Sequence, residues 1–356
     1  MKVYWVLGSS HNSNSGVSKY SESLITNLKE KKIEIDTIKS NRKGLIFYIW
    51  KYFYLPIYLL VLSFFNKKCI IIFPDESYAF NVFSCFYFNK KIIIVHDYRK
   101  IKSVTIKEKI KHVLMSCNYK LICRFDKVFT ASDFTKTTLL EYNLVKKGMV
   151  ITCYNIVEPS LNFECSAENY NELFKSSRNF IYVGSHETRK NTLILAEIFK
   201  KNPDINLIVV GKVVDHQNYD RFLAISEKCS NIHCLGEVDD SSLSYLIKKS
   251  DFLINISSFE GFGRTPIEAQ CLSTPVISTR NTGLNEVLLK NSFIHVPEPL
   301  SIDIIEKIIL SSLTISNKDK DDLISLGKVN SDRFSSNSII DKVLCVFDEK
   351  NSNINS

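Results

Sequence analysis

Short apolar runs alternate with amphipathic stretches along most of the chain. Lys2–Leu7 is an apolar run that stops at Gly8, as a strand buried on both faces does. A Ser/Asn-rich loop follows, and Gly16–Lys31 then places Val17, Tyr20, Leu24, Ile25 and Leu28 at helical spacing. Ile33–Ile38 alternates like a strand. Cys69–Phe73, Ile92–Val95, Lys127–Thr130 and Val150–Cys153 are further strand candidates that end in polar or turn residues. Residues 158–178 lack a sustained period and carry Pro, Ser and Asn, which predicts an interdomain linker. The alternation then restarts. Strand candidates Phe180–Val183, Asn206–Val210 and Ile232–Leu235 each run into a glycine. Phe252–Ile256 and Val276–Ser278 are interleaved with helical stretches that start near 191, 240, 263 and 284. Such alternation predicts an α/β architecture with parallel sheets covered on both faces. We assign two α/β domains, 1–165 and 166–335, followed by a helix and polar tail over 336–356.

One segment departs from this scheme. Residues 45–65 contain only Lys51, Pro56 and Ser63 outside the apolar set, close to the roughly 20 apolar residues that span a bilayer. Yet Lys51 lies inside the segment and Pro56 interrupts its middle. Basic pairs, Arg42-Lys43 and Lys67-Lys68, flank both ends, so charge asymmetry orients nothing. Three readings stay open: a core-facing helix pair, a segment lying in a membrane surface, and a span.

Composition narrows the classes. With 356 residues, 45% of them apolar, the chain can bury two cores, which excludes a disordered or fibrous protein. Ten cysteines form no Cys-x-x-Cys pair and sit mostly in apolar runs, as buried reduced thiols do. The N-terminal apolar run is too short for a signal peptide, so a cytoplasmic protein is expected. The net charge of +8 is uneven: residues 1–170 hold 25 Lys+Arg against 14 Asp+Glu, a balance of +11, and the remainder stands at −3. The density is highest over 90–120, with Lys90, Lys91, Arg99, Lys100, Lys102, Lys107, Lys109, Lys111 and Lys120. This is either a solvated helix face or a patch for an anionic membrane surface or a lipid-linked diphosphate. No nucleic-acid-binding motif accompanies it, so nucleic acid is not an expected partner.

The chemistry concentrates in Phe252–Val287. A buried strand ends at Ser257-Ser258, Glu260-Gly261-Phe262-Gly263 makes a tight turn, and Pro266 suits the first turn of a helix. Strand, Gly-x-Gly turn and helix start together place backbone N–H groups at the positive end of a helix dipole. That is an anion site, and its glycines let a ligand approach closely. Glu268 follows Glu260 with seven residues between, so two carboxylates flank the anion and suit the hydroxyls of a sugar or ribose. A Gly-x-Gly-x-x-Gly fingerprint is absent after the first strand, where Gly8 is followed by no glycine before Gly16. This disfavours a nicotinamide-dependent dehydrogenase.

Taken together, Glu260-Gly261-Phe262-Gly263, Pro266-x-Glu268-Ala269, Pro275-Val276-Ile277 and Gly283-x-x-Glu286 resemble the donor-binding signature of the retaining glycosyltransferases of family 4, which have the GT-B fold. The resemblance extends through Gly184, Arg189-Lys190-Asn191, Gly211, Gly236-Glu237-Val238, the loop from Gly8 to Gly16, His96-Asp97, Thr130–Phe134 and Tyr154–Val157. The chain departs from it at Thr265, where the family often has proline, and at Ser273, where it has glycine.

The resemblance implies two Rossmann-like domains facing across a cleft, the second binding a nucleotide sugar and the first an acceptor. It implies that Arg189, Lys190 and the N–H groups near Phe262 and Gly263 hold the leaving diphosphate; a guanidinium and an ammonium both suit phosphate. Glu260 would accept from sugar hydroxyls, Glu268 from the ribose, and Gly16, Gly184, Gly261 and Val238 would line the nucleotide sugar. His96 would contact the transferred sugar. The implied activity is transfer of a hexose, from GDP-mannose or a UDP-hexose, to an oligosaccharide or lipid-linked acceptor in O-antigen, capsule or lipopolysaccharide synthesis at the inner face of the cell membrane. No Asp-x-Asp stands beside these loops, so no essential metal or other cofactor is expected. A sugar-nucleotide epimerase of GT-B shape and a non-catalytic sugar-binding protein stay open as alternatives.

Overall fold

The computed structural model describes residues 1–9, 16–98, 106–161, 170–174 and 178–349, with the backbone alone at Ser9 and 106–111. Among these residues twelve strands form two six-stranded parallel sheets. The first contains β1 (Lys2–Ser9), β2 (Glu34–Ser40), β3 (Ile70–Phe73), β4 (Lys90–Val95), β5 (Lys127–Thr130) and β6 (Val150–Thr152), in the order β2-β1-β3-β4-β5-β6. The second contains β7 (Asn179–Val183), β8 (Asn206–Val210), β9 (Ile232–Gly236), β10 (Phe252–Asn255), β11 (Val276–Thr279) and β12 (Ile294–Val296), in the order β12-β11-β10-β7-β8-β9. The inner strands are continuous apolar runs because helices cover both their faces: Ile70–Phe73 and Ile92–Val95 are fully buried. β12 is the strand that periodicity missed. Three residues with a histidine in the middle are too short a run to signal one.

In each sheet the strand order reverses once, between β1 and β3 in the first and between β7 and β10 in the second. Loops leaving the carboxyl ends of those neighbours turn in opposite directions, and a crevice opens between them.

The chain divides into two compact units, Met1–Ile156 with Ser336–Ser356, and Val157–Ser335. The division falls before the expected 165/166 border, and the C-terminal helix is not a separate appendage. Hydrogen bonds give the reason. The Cys153 carbonyl accepts from the Tyr20 hydroxyl at 2.8 Å within the first unit, whereas the Val157 N–H donates to the Phe334 carbonyl at 3.1 Å within the second. Helix Ser336–Asp348 buries Ile339, Ile340, Val343, Val346 and Phe347. Its last turn receives the Lys90 ammonium, which is 2% exposed and ends on the carbonyl oxygens of Val346 and, at 2.8 Å, of Glu349. Lys90 is thus a buried cap of this helix rather than part of a solvated basic face. Lys91 is tied to Asp126 at 3.0 Å. Of the remaining basic stretch, Arg99, Lys100 and Lys102 lie outside the described residues, as do the side chains of Lys107, Lys109 and Lys111. Residues 10–15 of the loop between Gly8 and Gly16 also lie outside them.

Gly44–Phe65 is one helical segment, not a core-facing pair. Among the described residues it is the one helix long and apolar enough to cross a bilayer, by length and composition, and only 22% of its most apolar stretch is buried. One stripe faces inward, through Trp50, Lys51, Leu55, Leu59 and Ser63. Leu45, Phe53, Ile57, Val61 and Phe65 are exposed. Pro56 does not break the helix because a π-helical turn, Trp50–Tyr54, precedes it and the Leu55 N–H donates to Trp50 five residues back. The wider turn accommodates a residue that lacks an N–H and would crowd the carbonyl four residues earlier.

Candidate functional site

The crevice at the reversal of the second sheet is built by the loops leaving β7 and β10. The Gly184 N–H donates to Val210 at 2.9 Å as the chain leaves β7. A short 3-10 turn, Thr188–Lys190, and Asn191 in the left-handed region (φ 56°) then lead into helix Thr192–Lys201. This loop is laced to the one after β10. The Ser258 N–H and hydroxyl both donate to the Arg189 carbonyl, at 2.9 and 3.1 Å, and Asn191 Nδ2 donates to Ile256 at 2.7 Å.

The lacing gathers charge. Lys190 Nζ lies 2.5 Å from Glu260 Oε1, and Arg189 Nη1 lies 3.4 Å from Glu260 Oε2. The Arg189 guanidinium also forks onto Glu187, at 3.0 and 3.2 Å, and donates to the Phe259 carbonyl at 2.8 Å. Burial opposes ionisation of Glu260, but Lys190 and Arg189 outweigh it and hold the carboxyl below the ordinary range. Glu187 follows the same logic: burial works against its charge, and the Ser185 hydroxyl at 2.6 Å together with Arg189 overcomes it. Arg189, Lys190 and Glu260, distant in sequence, therefore form one ionised cluster. Glu187 belongs to it and was missed by sequence reasoning, since a carboxylate two residues before an arginine carries no signal of its own.

The Glu260 backbone is clamped from the loop after β11. Its N–H donates to the Thr282 hydroxyl at 2.9 Å, and its carbonyl accepts from that hydroxyl and from the Gly283 N–H, both at 2.9 Å. Gly263 (φ 98°) then turns the chain into helix Arg264–Cys271, whose first-turn N–H groups point toward the crevice mouth by helix geometry. The Phe262 ring is core, 5% exposed and edge-on to Phe334 at 5.3 Å, so only its backbone is available to a ligand. Glu268 pairs with a different cation: its Oε1 accepts from Arg264 Nε and Nη2 at 3.3 and 3.2 Å. Val238 is half-buried immediately before Asp239, which caps helix Asp240–Lys249 by accepting from the Ser242 N–H at 3.0 Å.

Ser273, the departure from the resembled pattern, ends helix Arg264–Cys271 in a Schellman motif. The Thr274 N–H donates to Ala269 at 2.9 Å and the Ser273 N–H to Gln270 at 3.1 Å, with Ser273 at φ 63°. A non-glycine residue there is strained. Ser273→Gly is expected to raise the denaturation midpoint, worth about 0.5–1 kcal/mol after the extra unfolded-state entropy of glycine is subtracted. A lower midpoint in urea would contradict this account.

His96 and Gly16 belong to the first unit. Gly16 begins helix Gly16–Glu30. His96 follows β4, its Nε2 lies 2.9 Å from the Pro74 carbonyl, and its ring is edge-on to Tyr20 at 5.1 Å. Burial lowers its pKa and favours the neutral imidazole.

Residues 167–325 match the family model for glycosyl transferases group 1. The second unit is a group 1 glycosyltransferase domain. An uncharacterised glycosyltransferase of Methanocaldococcus jannaschii is 28% identical to the chain over 164 residues, which cover 46% of this chain and 43% of the relative. The O-antigen chain mannosyltransferase RfbU of Salmonella typhimurium is 24% identical over 272 residues, covering 74% of this chain and 70% of that one. Matches to the first curated relatives thus span under half of their length. Among solved structures, Anabaena HepE in complex with UDP and glucose superposes with a TM-score of 0.76 at 13% identity, covering 97% of this chain and 99% of that one. The fold is GT-B. In the glycosyltransferase domain the Arg189–Lys190–Glu260 cluster lies at the strand-order reversal, where ligands of open parallel sheets bind.

Proposed function

We propose that the protein is a retaining glycosyltransferase that moves a hexose from a nucleotide sugar, GDP-mannose or a UDP-hexose, to a lipid-linked glycan in O-antigen or related surface-polysaccharide synthesis. The observation that carries this reading is the half-buried Arg189–Lys190–Glu260 ion cluster at the reversal of the second sheet. Breaking the bond between the anomeric carbon and the diphosphate leaves negative charge on the diphosphate and positive charge on the sugar. Arg189 and Lys190, with the N–H groups of the first turn after Gly263, meet the first; no metal is then needed for that charge. Glu260, kept ionised by the same two cations, accepts from sugar hydroxyls and stabilises the second. Glu268, oriented by Arg264, accepts from the ribose. Lys190 and Arg189 are pre-placed against Glu260, so donor binding exchanges one set of charge-assisted bonds for another with little reorganisation.

The exposed aromatic face of Gly44–Phe65 supports a peripheral place on the inner membrane surface. Lys67 sits over the Phe64 and Tyr87 rings at 5.2 and 5.5 Å, and Arg124 sits over Phe83 at 5.4 Å, as cations do beside interfacial aromatics.

A panel of UDP-, GDP- and dTDP-sugars, scored first by thermal stabilisation and then by transfer, tests the reading. One class is expected to raise the melting temperature, because binding to the folded state stabilises it, and the product should keep the donor's anomeric configuration. Inversion, or acceptor-independent epimerisation of the donor, would sink it.

A further inference from the structure

The loop that holds Arg189 and Lys190 hangs on one buried side chain. From Val183 to Lys190 every residue is at least partly exposed except His186, whose exposure is 0%. Its ring packs against Tyr219 and Phe222 of helix His216–Ser226, with ring centres 4.7 and 4.9 Å away. The His186 N–H donates to the Lys212 carbonyl and its own carbonyl accepts from the Asp215 N–H, both at 3.0 Å, around a parallel bridge to Val213. Asp215 caps the same helix through the Asn218 N–H at 3.1 Å. It also accepts from the hydroxyl of Thr188, the residue before Arg189, at 3.1 Å. His186 therefore ties the cation loop to the loop after β8 and to the helix behind it, all within the second unit.

Neither ring nitrogen has a hydrogen-bond partner among the described residues. An apolar ring would fill the same space without leaving two polar atoms unsatisfied, so packing alone does not account for a histidine. Its proton does. The neutral ring has one N–H and one lone pair, whereas the imidazolium has two N–H donors and a charge to place. The surroundings offer that charge nothing. On the packed helix, the Tyr219 hydroxyl is 3.9 Å from Cys234 Sγ of β9, and His216, Asp220 and Arg221 are exposed. In the loop after β8, Lys212 is itself a cation and the Asp215 carboxylate is engaged by Thr188 and Asn218. In its own loop, the Glu187 carboxylate is engaged by Ser185 and Arg189. Burial lowers the pKa of the seated ring, and no charge offsets it. An open loop returns the ring to water and to its ordinary pKa. The sign follows: the open form binds more protons, so seating is complete above pH ~6.5 and weakens as the pH falls through it.

We infer that His186 is a positioning residue for the Arg189–Lys190 pair: its neutral ring seats their loop, and its protonation unseats it. The inference rests on the transferase reading for what the pair binds, but seating is measured without turnover. Hydrogen exchange of the full chain is followed by mass spectrometry at pH 7.0 and 5.5, over 184–190 and over helix Asn317–Asp332, with the intrinsic pH dependence of exchange removed. The opening equilibrium of 184–190 should rise ~5–8-fold at the lower pH, the factor expected when an imidazole with a pKa near ~6.5 is freed by opening. Helix Asn317–Asp332 should not change. His186→Phe and, separately, His186→Leu keep an apolar side chain in the cage and remove the proton, so each should cut the rise to under ~2-fold. The wild-type series stands even where a variant fails to fold. No rise in the wild type, an equal rise in the control helix, or a rise that persists in a folded variant overturns the inference. Saturating inorganic pyrophosphate should suppress opening at both pH values, because it binds the seated loop. An acid-driven opening that pyrophosphate leaves untouched would refute the donor role of Arg189 and Lys190 and leave the histidine latch standing.

Discussion

Lys190→Ala is expected to lower transfer ~10²–10³-fold, the loss seen when one preorganised donor to a developing negative charge is removed. The side chain does two jobs in the structure. It is the closest cation to Glu260, at 2.5 Å, and it is one of the two charges that the leaving diphosphate would engage. Without it, Glu260 loses its shorter cation contact and keeps the longer one with Arg189 at 3.4 Å, so some stability is lost as well. The diagnostic readout separates these effects. Calorimetry should show a nucleoside diphosphate losing much more affinity than the corresponding monophosphate, because a damaged fold would weaken both alike. Lys190→Arg should recover part of the loss, since charge returns but the compact ammonium geometry does not. Unchanged diphosphate affinity and unchanged transfer in Lys190→Ala would remove the cluster from the reaction.

Gly283→Ala tests the clamp behind Glu260. Gly283 has helical angles (φ −60°, ψ −28°), and by propensity alone alanine at a helix start should cost little or even help by up to about 1 kcal/mol. Sterics oppose this. A β-carbon there would lie 2.4 Å from the Gly261 carbonyl oxygen and 2.8 Å from that of Glu260. Both neighbours are backbone, so no rotamer change relieves the clash. We expect a net destabilisation of about 2–3 kcal/mol in chemical denaturation. The displaced Glu260 loop should also weaken nucleotide-sugar binding. Stability equal to or above the parent would show that the loop yields freely and that the clamp is not one.

Sheets, strand positions and the donor-side signature were legible because each rests on a local pattern. Apolar runs that end in glycine located β7, β8 and β9, and the Gly-x-Gly turn before Pro266 located the start of helix Arg264–Cys271. What the sequence concealed depends on contacts between distant segments. Glu187 joins the cluster through Arg189, and Thr282 reaches Glu260 across 22 positions. The unit border depends on Val157 pairing with Phe334 rather than on composition, which is why a polar stretch suggested it too late. Gly44–Phe65 left three readings open for a different reason: a proline reads as a break unless the turn before it widens, and nothing in a hydropathy pattern announces a π turn.

The return of helix Ser336–Asp348 to the first unit makes the glycosyltransferase domain an insertion, entered at Val157 and left at Ser335. Chimeras between relatives should therefore exchange this cassette at two internal joints. A simple two-part fusion near residue 160 would import a foreign terminal helix, and the buried Lys90 ammonium would then face whatever carbonyls that helix happened to bring.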